Sequence, residues 1–286
     1  MSPPKADRLT RQDSLQHQVA RNIRNDIDAG VLRDGEALPS TRNLASRWGV
    51  SVFTINEAMK LLAKDGLVVS QSRSKRIVHA PGQAHQNEIQ LRVPRLILIG
   101  GYAGCGKSEL GRILSHETGW SMLDKDTLTR PVVEVALEAL GKSPHDRESA
   151  TYLNMIRPRE YEGLIAAVDE NITSGNSIIA VAPFIREFAD AAWISRTQAA
   201  YASSGALTTF VWVYCDIDTM HVYLRHRGAA RDAAKLADWP GYLATIDVNF
   251  RPQVPHLVVD NSASSAPLQE QARELLQEII QQDKAS

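Results

Sequence analysis

The sequence has few cysteines and no long apolar run. Its two cysteines, Cys105 and Cys215, are far apart in the chain and give no metal-ligand spacing, so a reducing interior is the simplest compartment. No apolar run approaches the roughly 20 residues that span a bilayer. The N-terminal segment MSPPKADRLTRQDS is polar and has no apolar core of a signal peptide. These absences predict a cytoplasmic protein.

The chain also lacks a strong net charge, since 32 Lys/Arg balance 33 Asp/Glu. The balance hides an asymmetry: residues 1–90 hold 13 Lys/Arg against 9 Asp/Glu, and the rest holds 19 against 24. A basic first third suits nucleic acid. With 286 residues, 43% of them hydrophobic, the chain is long enough for two folded domains.

Three helices and a hairpin are predicted near the N-terminus. Apolar residues recur every fourth position from Ser14 to about Ala29, which predicts a helix ending at Gly30. Ser40 and Ser51 then precede TRNLASRWG and VFTINEAMKLLAKDG, two further helices with good N-caps. LVVSQSRSKRIVHA predicts two short strands around a basic tip. This order of elements is that of a winged helix-turn-helix.

The stretch IDAGVLRDGEALPSTRNLASRWGVSVFTINEAMKLLAKDGLVVS resembles the N-terminal domain of GntR-type transcription regulators over residues 14–80. In that family the third helix enters the major groove and the wing touches the minor groove. The resemblance implies binding of double-stranded operator DNA as a homodimer. The residues that it implies for DNA contact are Arg42, Ser51, Thr54, Asn56, Arg73, Lys75 and Arg76.

The wing departs from the family pattern. Arg73 and Lys75 stand where glycines are usual, which makes a tight turn harder but adds salt-sensitive phosphate contacts. The alternative for the whole segment is a helical docking domain whose basic residues are solvated.

A linker is predicted over residues 81–94, and a second domain over residues 95–286. RLILIG is a buried strand, and WSMLD, SIIAVA, TFVWVYC and HLVVD are further strand candidates separated by helical patterns. Such alternation predicts an α/β domain with a parallel sheet. The predicted fold is therefore an N-terminal winged helix-turn-helix, mostly α with a small β-wing, followed by an α/β P-loop NTPase fold.

The segment GYAGCGKS matches the phosphate-binding pattern Gly-x-x-x-x-Gly-Lys-Ser/Thr between a buried strand and an amphipathic helix. Its glycines let backbone N–H groups converge on phosphate oxygens, while Lys107 adds charge and Ser108 can hold Mg²⁺. ATP and Mg²⁺ are the predicted cofactors. Cys105 is interpreted as a small residue tolerated in the loop. The predicted nucleotide-binding residues in this segment are Gly101, Gly104, Cys105, Gly106, Lys107, Ser108 and Glu109.

Residues from about 95 to 265 resemble the small P-loop kinases, such as polynucleotide kinase, chloramphenicol phosphotransferase and zeta-type toxin kinases. In LDKDTLTRP the resemblance implies Asp126, with Asp124 second, as the acid that orients an acceptor hydroxyl. The alternative is that Asp124 ends the strand and Asp126 caps the helix. YLRHRGAARDAAKL resembles the lid of such kinases, which implies phosphate contacts by Arg225, Arg227 and Arg231, or else a solvated basic helix.

A variable segment of these kinases corresponds to DRESATYLNMIRPREYEGL. Arg157, Arg159 and Glu160 are candidates for an acceptor pocket there, with surface ion pairs as the alternative.

Three functions fit these patterns. The first is a transcription regulator, acting as a repressor, whose P-loop domain binds ATP and a small hydroxylated metabolite to modulate DNA binding. The second is an ATP-dependent small-molecule kinase that carries a DNA-binding domain. The third is a toxin-like kinase that regulates itself through DNA.

Overall fold

The computed structural model describes residues 15–28, 32–71, 75–79 and 93–285, with side chains described as far as residue 281. Arg73, the predicted helix end at Gly30 and most of the predicted linker lie outside these residues. The boundaries of the two domains and the linker therefore stay predictions.

The N-terminal domain is a winged helix-turn-helix, as predicted. Ser40 accepts a hydrogen bond from the backbone N–H of Asn43 and Gly49 ends that helix in the left-handed conformation, which sets the tight turn of the helix pair. The two strands pair antiparallel, with Val68 opposite Val78. The elements are α1 (Leu15–Asp28), α2 (Thr41–Trp48), α3 (Val52–Lys64), β1 (Val68–Ser70) and β2 (Arg76–Val78).

The C-terminal domain contains a five-stranded parallel sheet in the order β4-β5-β3-β6-β7. Every residue of the central strand is buried, because helices cover both faces of the sheet. The α/β fold class is confirmed. The strands are β3 (Arg95–Gly100), β4 (Ser121–Asp124), β5 (Ile178–Val181), β6 (Leu207–Tyr214) and β7 (Leu257–Asp260).

Nine helices of the described part surround this sheet. A π-helical turn, Tyr152–Ile156, leads into α6, and a 3₁₀ turn, Ala230–Asp232, precedes α10. Within the described residues, no helix is long and apolar enough to cross a membrane. The helices are α4 (Lys107–Thr118), α5 (Lys125–Ala139), α6 (Arg157–Thr173), α7 (Ile185–Ala189), α8 (Ala191–Ser203), α9 (Ile217–Arg227), α10 (Ala233–Ala237), α11 (Trp239–Ala244) and α12 (Leu268–Ala285).

Helix α1 belongs to the winged-helix core but also packs on α4 and α12 of the second domain. The Arg21 guanidinium donates hydrogen bonds to the carbonyl oxygens of Ser262, at 2.9 Å, and Ala266, at 2.9 Å, in the loop after β7. One turn further, the fully buried Asn25 side chain accepts a hydrogen bond of 2.5 Å from Gln269. These polar contacts fix the position of the winged-helix domain on the P-loop domain.

We expect Arg21→Ala to lower the free energy of unfolding by about 1–3 kcal/mol, because loop carbonyls lose a charged hydrogen-bond donor. Thermal or urea unfolding of the full chain measures the change. Arg24→Ala is the matched control on the same helix, since Arg24 pairs only with Asp65 of its own domain among the described residues and at the surface. That pair should contribute about 1 kcal/mol or less. Equal small losses in both variants would contradict a stabilising role for the Arg21 contacts.

Candidate functional site

The P-loop forms a phosphate cradle between β3 and α4. Gly104 and Gly106 have φ angles of 84° and 91°, a region that side chains rarely adopt. A Cβ on Gly104 would also lie 2.9 Å from Cγ of Leu224. Gly106 is the N-cap of α4 and provides no side-chain hydrogen bond, so the first N–H groups of this helix are available to an anion.

Lys107 and Ser108 begin α4 at the edge of this cradle. The Lys107 ammonium donates a 2.7 Å hydrogen bond to the carbonyl oxygen of Tyr102 in the same loop. Burial lowers the pKa of Lys107, with the nearby charges of Cys105 and Arg227 acting in opposite directions. A dianionic or trianionic phosphate chain would supply the negative charge that this desolvated ammonium lacks.

Ser108 and Asp124 place two oxygen atoms beside the cradle that could serve as metal ligands. The Ser108 hydroxyl donates a 2.5 Å hydrogen bond to Oδ2 of Asp124. Within the described part, no group of three or more His, Cys, Asp or Glu side chains could hold a metal ion alone. A hydroxyl, a carboxylate and the phosphate oxygens of a nucleotide nevertheless fit Mg²⁺, which takes few protein ligands.

Asp124 also caps the next helix. Its Oδ1 accepts hydrogen bonds from the backbone N–H groups of Asp126, at 2.9 Å, and Thr127, at 3.1 Å. Asp124 therefore both ends β4 and caps α5. The alternative interpretation of Asp126 as the helix cap is wrong, because Asp124 is the cap and Asp126 lies in the first helical turn, where it lines the cavity.

Asp126 is held between two cations. Lys125 Nζ lies 2.9 Å from its Oδ1, and Arg231 Nη1 lies 2.9 Å from its Oδ2. Burial alone would raise the pKa of Asp126, but Lys125 and Arg231 outweigh it and hold the pKa at about 2. Asp126 is thus an ionised hydrogen-bond acceptor at neutral pH.

A buried polar cluster supports this carboxylate from behind. Glu160 is 3% exposed and accepts hydrogen bonds from Lys125 Nζ at 2.7 Å and from the Tyr152 hydroxyl at 2.6 Å. Burial, followed by the Glu160 charge, raises the pKa of Tyr152, so its hydroxyl keeps the proton that it donates. The cluster fixes the side chain of Lys125 and through it the orientation of Asp126.

Glu160 therefore forms a buried ion pair and not the surface ion pair of the alternative, and it does not line the cavity above the cradle. The two arginines beside it are engaged elsewhere. Arg157 pairs with Glu187 at 2.8 Å, and Arg159 forms a surface pair with Glu162 on its own helix.

A cavity of about 380 Å³ opens above the cradle, and most of the predicted catalytic and nucleotide-binding residues line it. Of the predicted residues, it is lined by Gly104, Gly106, Lys107, Ser108, Glu109, Asp124, Asp126, Arg227 and Arg231. Three predicted residues do not line it: Gly101 starts the loop, Cys105 is buried behind it, and Arg225 is exposed elsewhere. Burial raises the pKa of Glu109 to about 6.

Sequence reasoning missed half of this cavity. Four of the missed residues come from the winged-helix domain, whose distance along the chain gives no signal for contact. Four others lie inside segments that the sequence did single out: Thr127 and Arg130 in LDKDTLTRP, and Tyr223 and His226 in YLRHRGAARDAAKL. The missed residues are Asn22, Asp26, Arg47, Trp48, Arg112, Thr127, Arg130, Tyr223 and His226.

The two cysteines meet in space behind the loop. Their Sγ atoms are 3.4 Å apart, and both thiols are buried and free. Their separation in the chain gave no sign of this contact, and Cys105 packs as a small buried residue.

The predicted DNA contacts are divided between exposed and engaged side chains. Ser51 caps α3 through a 3.0 Å hydrogen bond from the N–H of Thr54. Asn56 accepts a 3.1 Å hydrogen bond from Arg76, which ties the wing to the helices. Exposed positions include Arg42, Ser51 and Lys75.

Phe53, in the first turn of α3, is 70% exposed and was not predicted as a contact. An exposed aromatic ring there can contact a thymine methyl group, as apolar side chains do in the major groove.

We expect Glu160→Gln to lower the free energy of unfolding by about 3 kcal/mol. The reason is that Lys125 stays buried with only Asp126 to balance its charge. The matched control is Glu162→Gln on the same helix, whose exposed pair with Arg159 should contribute less than about 1 kcal/mol. Chemical denaturation of both variants measures the difference, and a loss no larger than that of Glu162→Gln would contradict it.

Sequence comparisons agree with the two-domain architecture. Residues 15–77 match the family of bacterial regulatory proteins named gntR. HTH-type transcriptional regulator GgaR of Escherichia coli K12 is 39% identical over 56 residues, which are 20% of this chain and 22% of GgaR. The chain thus spans about a fifth of the length of the curated relatives that it matches.

Solved structures are similar to each half. A gluconokinase of Sinorhizobium meliloti 1021 is 20% identical, with 68% of this chain and 96% of that one covered and a TM-score of 0.42. YtrA of Sulfolobus acidocaldarius, a GntR-family transcription factor, is 35% identical, with 26% and 79% covered and a TM-score of 0.23. The AAA domain family matches residues 96–248. Because that match extends over more than half of the chain, the protein belongs to the AAA domain family, and in front of its P-loop domain it carries a winged-helix domain that matches the gntR family.

Proposed function

We propose that this protein is an ATP-responsive transcription regulator. Its winged-helix domain binds double-stranded operator DNA as a homodimer and acts as a repressor. Its P-loop domain binds ATP with Mg²⁺, together with a small hydroxylated metabolite, and occupancy of the site changes the affinity for DNA. A ligand changes that affinity only by the difference between its own affinities for the two states.

The nucleotide half of the proposal is supported by the composition of the cradle. The N–H groups at the start of α4 and the Lys107 ammonium would hold the phosphates, and Arg227 and Arg231 face them across the cavity. Ser108 and Asp124 would hold Mg²⁺, which neutralises phosphate charge when bound.

The observation that carries the proposal is the position of the cavity between the two domains. Its walls include α1 and α2 of the DNA-reading domain as well as the P-loop. A ligand in this cavity is therefore placed where it can sense the position of the winged-helix domain. A regulator needs such a connection, whereas an enzyme with an independent DNA-binding module does not.

We expect Mg-ATP to change the affinity of the full chain for a duplex from upstream of its own gene, and Lys107→Ala to abolish the change. Fluorescence anisotropy at one fixed salt concentration measures it. Lys142→Ala is the control, since Lys142 is exposed and does not line the cavity. Equal duplex affinity of the wild-type chain with and without Mg-ATP would overturn ATP as the signal.

A second candidate function, an ATP-dependent small-molecule kinase, is favoured by the position of Asp126 on the same cavity wall as Lys107. An acceptor hydroxyl oxygen would attack the γ-phosphorus while the bond to the β-phosphate oxygen breaks, which releases ADP. Asp126, ionised and oriented by Lys125 and Arg231, would accept the hydrogen bond of that hydroxyl and its proton as the new bond forms.

For the kinase, we expect ATP consumption to rise with one hydroxylated acceptor and to fall about 10²- to 10⁴-fold in Asp126→Asn. Coupled detection of ADP over a panel of sugars, polyols and hydroxy acids measures it. Glu138→Gln, an exposed change on the same helix, is the matched control. If no acceptor raises turnover above the background, the kinase is excluded for that panel and the sensor is favoured.

A further inference from the structure

We propose that the nucleotide site is completed by the DNA-reading domain: Arg47, in the last turn of α2, binds the polyphosphate of the nucleotide that Lys107 and Ser108 hold. This inference rests on the proposed function and extends it, because it names a residue outside the P-loop domain that binds the ligand and connects it to the helix-turn-helix.

The cavity has one wall from each domain. Lys107 and Ser108 line it on the P-loop side, and Arg47 and Trp48 line it from the end of α2. Helix α2 is the first helix of the helix-turn-helix, joined to α3 by the turn at Gly49. A group that binds to this wall is therefore in contact with the DNA-reading unit itself.

Charge and position together distinguish Arg47 among the cations of the cavity. Arg227 already pairs with Asp232, at 2.8 Å, and Arg231 pairs with Asp126. Three lining arginines, Arg47, Arg112 and Arg130, are exposed and make no side-chain hydrogen bond or ion pair with another described residue, and of these Arg47 is the one that the winged-helix domain provides. An arginine fork with free donors, facing a phosphate cradle, is suited to bidentate contact with phosphate oxygens.

The surroundings place the guanidinium near the domain boundary. Burial raises the pKa of Asp26, and the charge of Arg47 opposes this rise. Burial lowers the pKa of His226, and Arg47 lowers it further. Arg47 thus acts electrostatically on α1 of its own domain and on α9 of the other, and both helices line the cavity.

The wall that carries Arg47 is held in position by neighbouring contacts. The ring centroids of Trp48 and of His226 on α9 are 4.3 Å apart, with 51° between the ring planes. The indole N–H of Trp48 is buried and has no hydrogen-bond partner within the described residues. The contacts of Arg21 and Asn25 hold α1 beside it. Little reorganisation of the protein is then needed for Arg47 to bind a ligand.

A ligand that contacts both walls binds one domain arrangement better than any other. Movement of the winged-helix domain would remove Arg47 from the phosphates while Lys107 and Ser108 stayed in place. By linkage, the factor by which nucleotide alters DNA affinity equals the factor by which DNA alters nucleotide affinity. Arg47 should therefore contribute to nucleotide affinity and to the coupling together.

The test is Mg-ATP binding to the full chain by isothermal titration calorimetry. We expect Arg47→Ala to raise the Kd at least about tenfold, as loss of a charged hydrogen bond does. The Kd of Arg47→Lys should lie between those of the wild type and Arg47→Ala, because lysine keeps the charge but lacks the guanidinium fork. Arg33→Ala, an exposed arginine of the same domain outside the cavity, should leave the Kd unchanged.

The same variants in the duplex anisotropy assay supply a second readout. In Arg47→Ala the effect of Mg-ATP on DNA affinity should shrink, while Arg33→Ala keeps it. If Lys107→Ala no longer binds ATP but Arg47→Ala binds it as tightly as Arg33→Ala does, then Arg47 is not part of the nucleotide site. The proposed function stands in that case. If the wild-type chain binds no ATP, both proposals fail.

Discussion

The rest of the structure depends on helix α1, which packs in one domain and forms hydrogen bonds with the other. Its apolar residues, among them Val19 and Ile23, belong to the winged-helix core, while Arg21 and Asn25 form hydrogen bonds with the P-loop domain. Buried polar groups are costly unless they are paired, so these two side chains favour one orientation of the domains. That orientation places α2 over the P-loop. The cavity, its mixed walls and any communication between nucleotide and DNA follow from it.

A second buried polar arrangement lies behind Asp126, which lines the cavity. Lys125 and Glu160 are both nearly inaccessible and form an ion pair of 2.7 Å, with Tyr152 donating to the second carboxylate oxygen. An ion pair of this kind adds little net stability compared with an apolar core, but removal of one partner strongly lowers the free energy of unfolding. The ion pair fixes Lys125 beside Asp126, and the charges of Lys125 and Arg231 hold the pKa of that carboxyl at about 2.

Local patterns in the sequence predicted the elements well and the cavity only in part. The phosphate cradle was predictable because its residues are contiguous and its glycines mark the loop, and Ser40 and Ser51 marked helix starts through their caps. Glu160 was misjudged, since a carboxylate on an amphipathic helix gives no sign that Lys125 will be buried against it. Arg47 and Trp48 were missed for a different reason. They contact the site through domain packing, and no spacing rule relates α2 to a loop some sixty residues later.

The strength of the interface fits a switch better than a rigid joint. The described contacts of Arg21 together contribute about 1–3 kcal/mol, and the hydrogen bond between Asn25 and Gln269 contributes about 0.5–1.5 kcal/mol net. A tenfold change in an equilibrium requires about 1.4 kcal/mol. One charged contact between Arg47 and a phosphate is therefore of the same size as the contacts that hold the domains together. In the function proposed above, a ligand with that differential affinity would shift the balance between the docked arrangement and others, whereas a large apolar interface would exceed its influence.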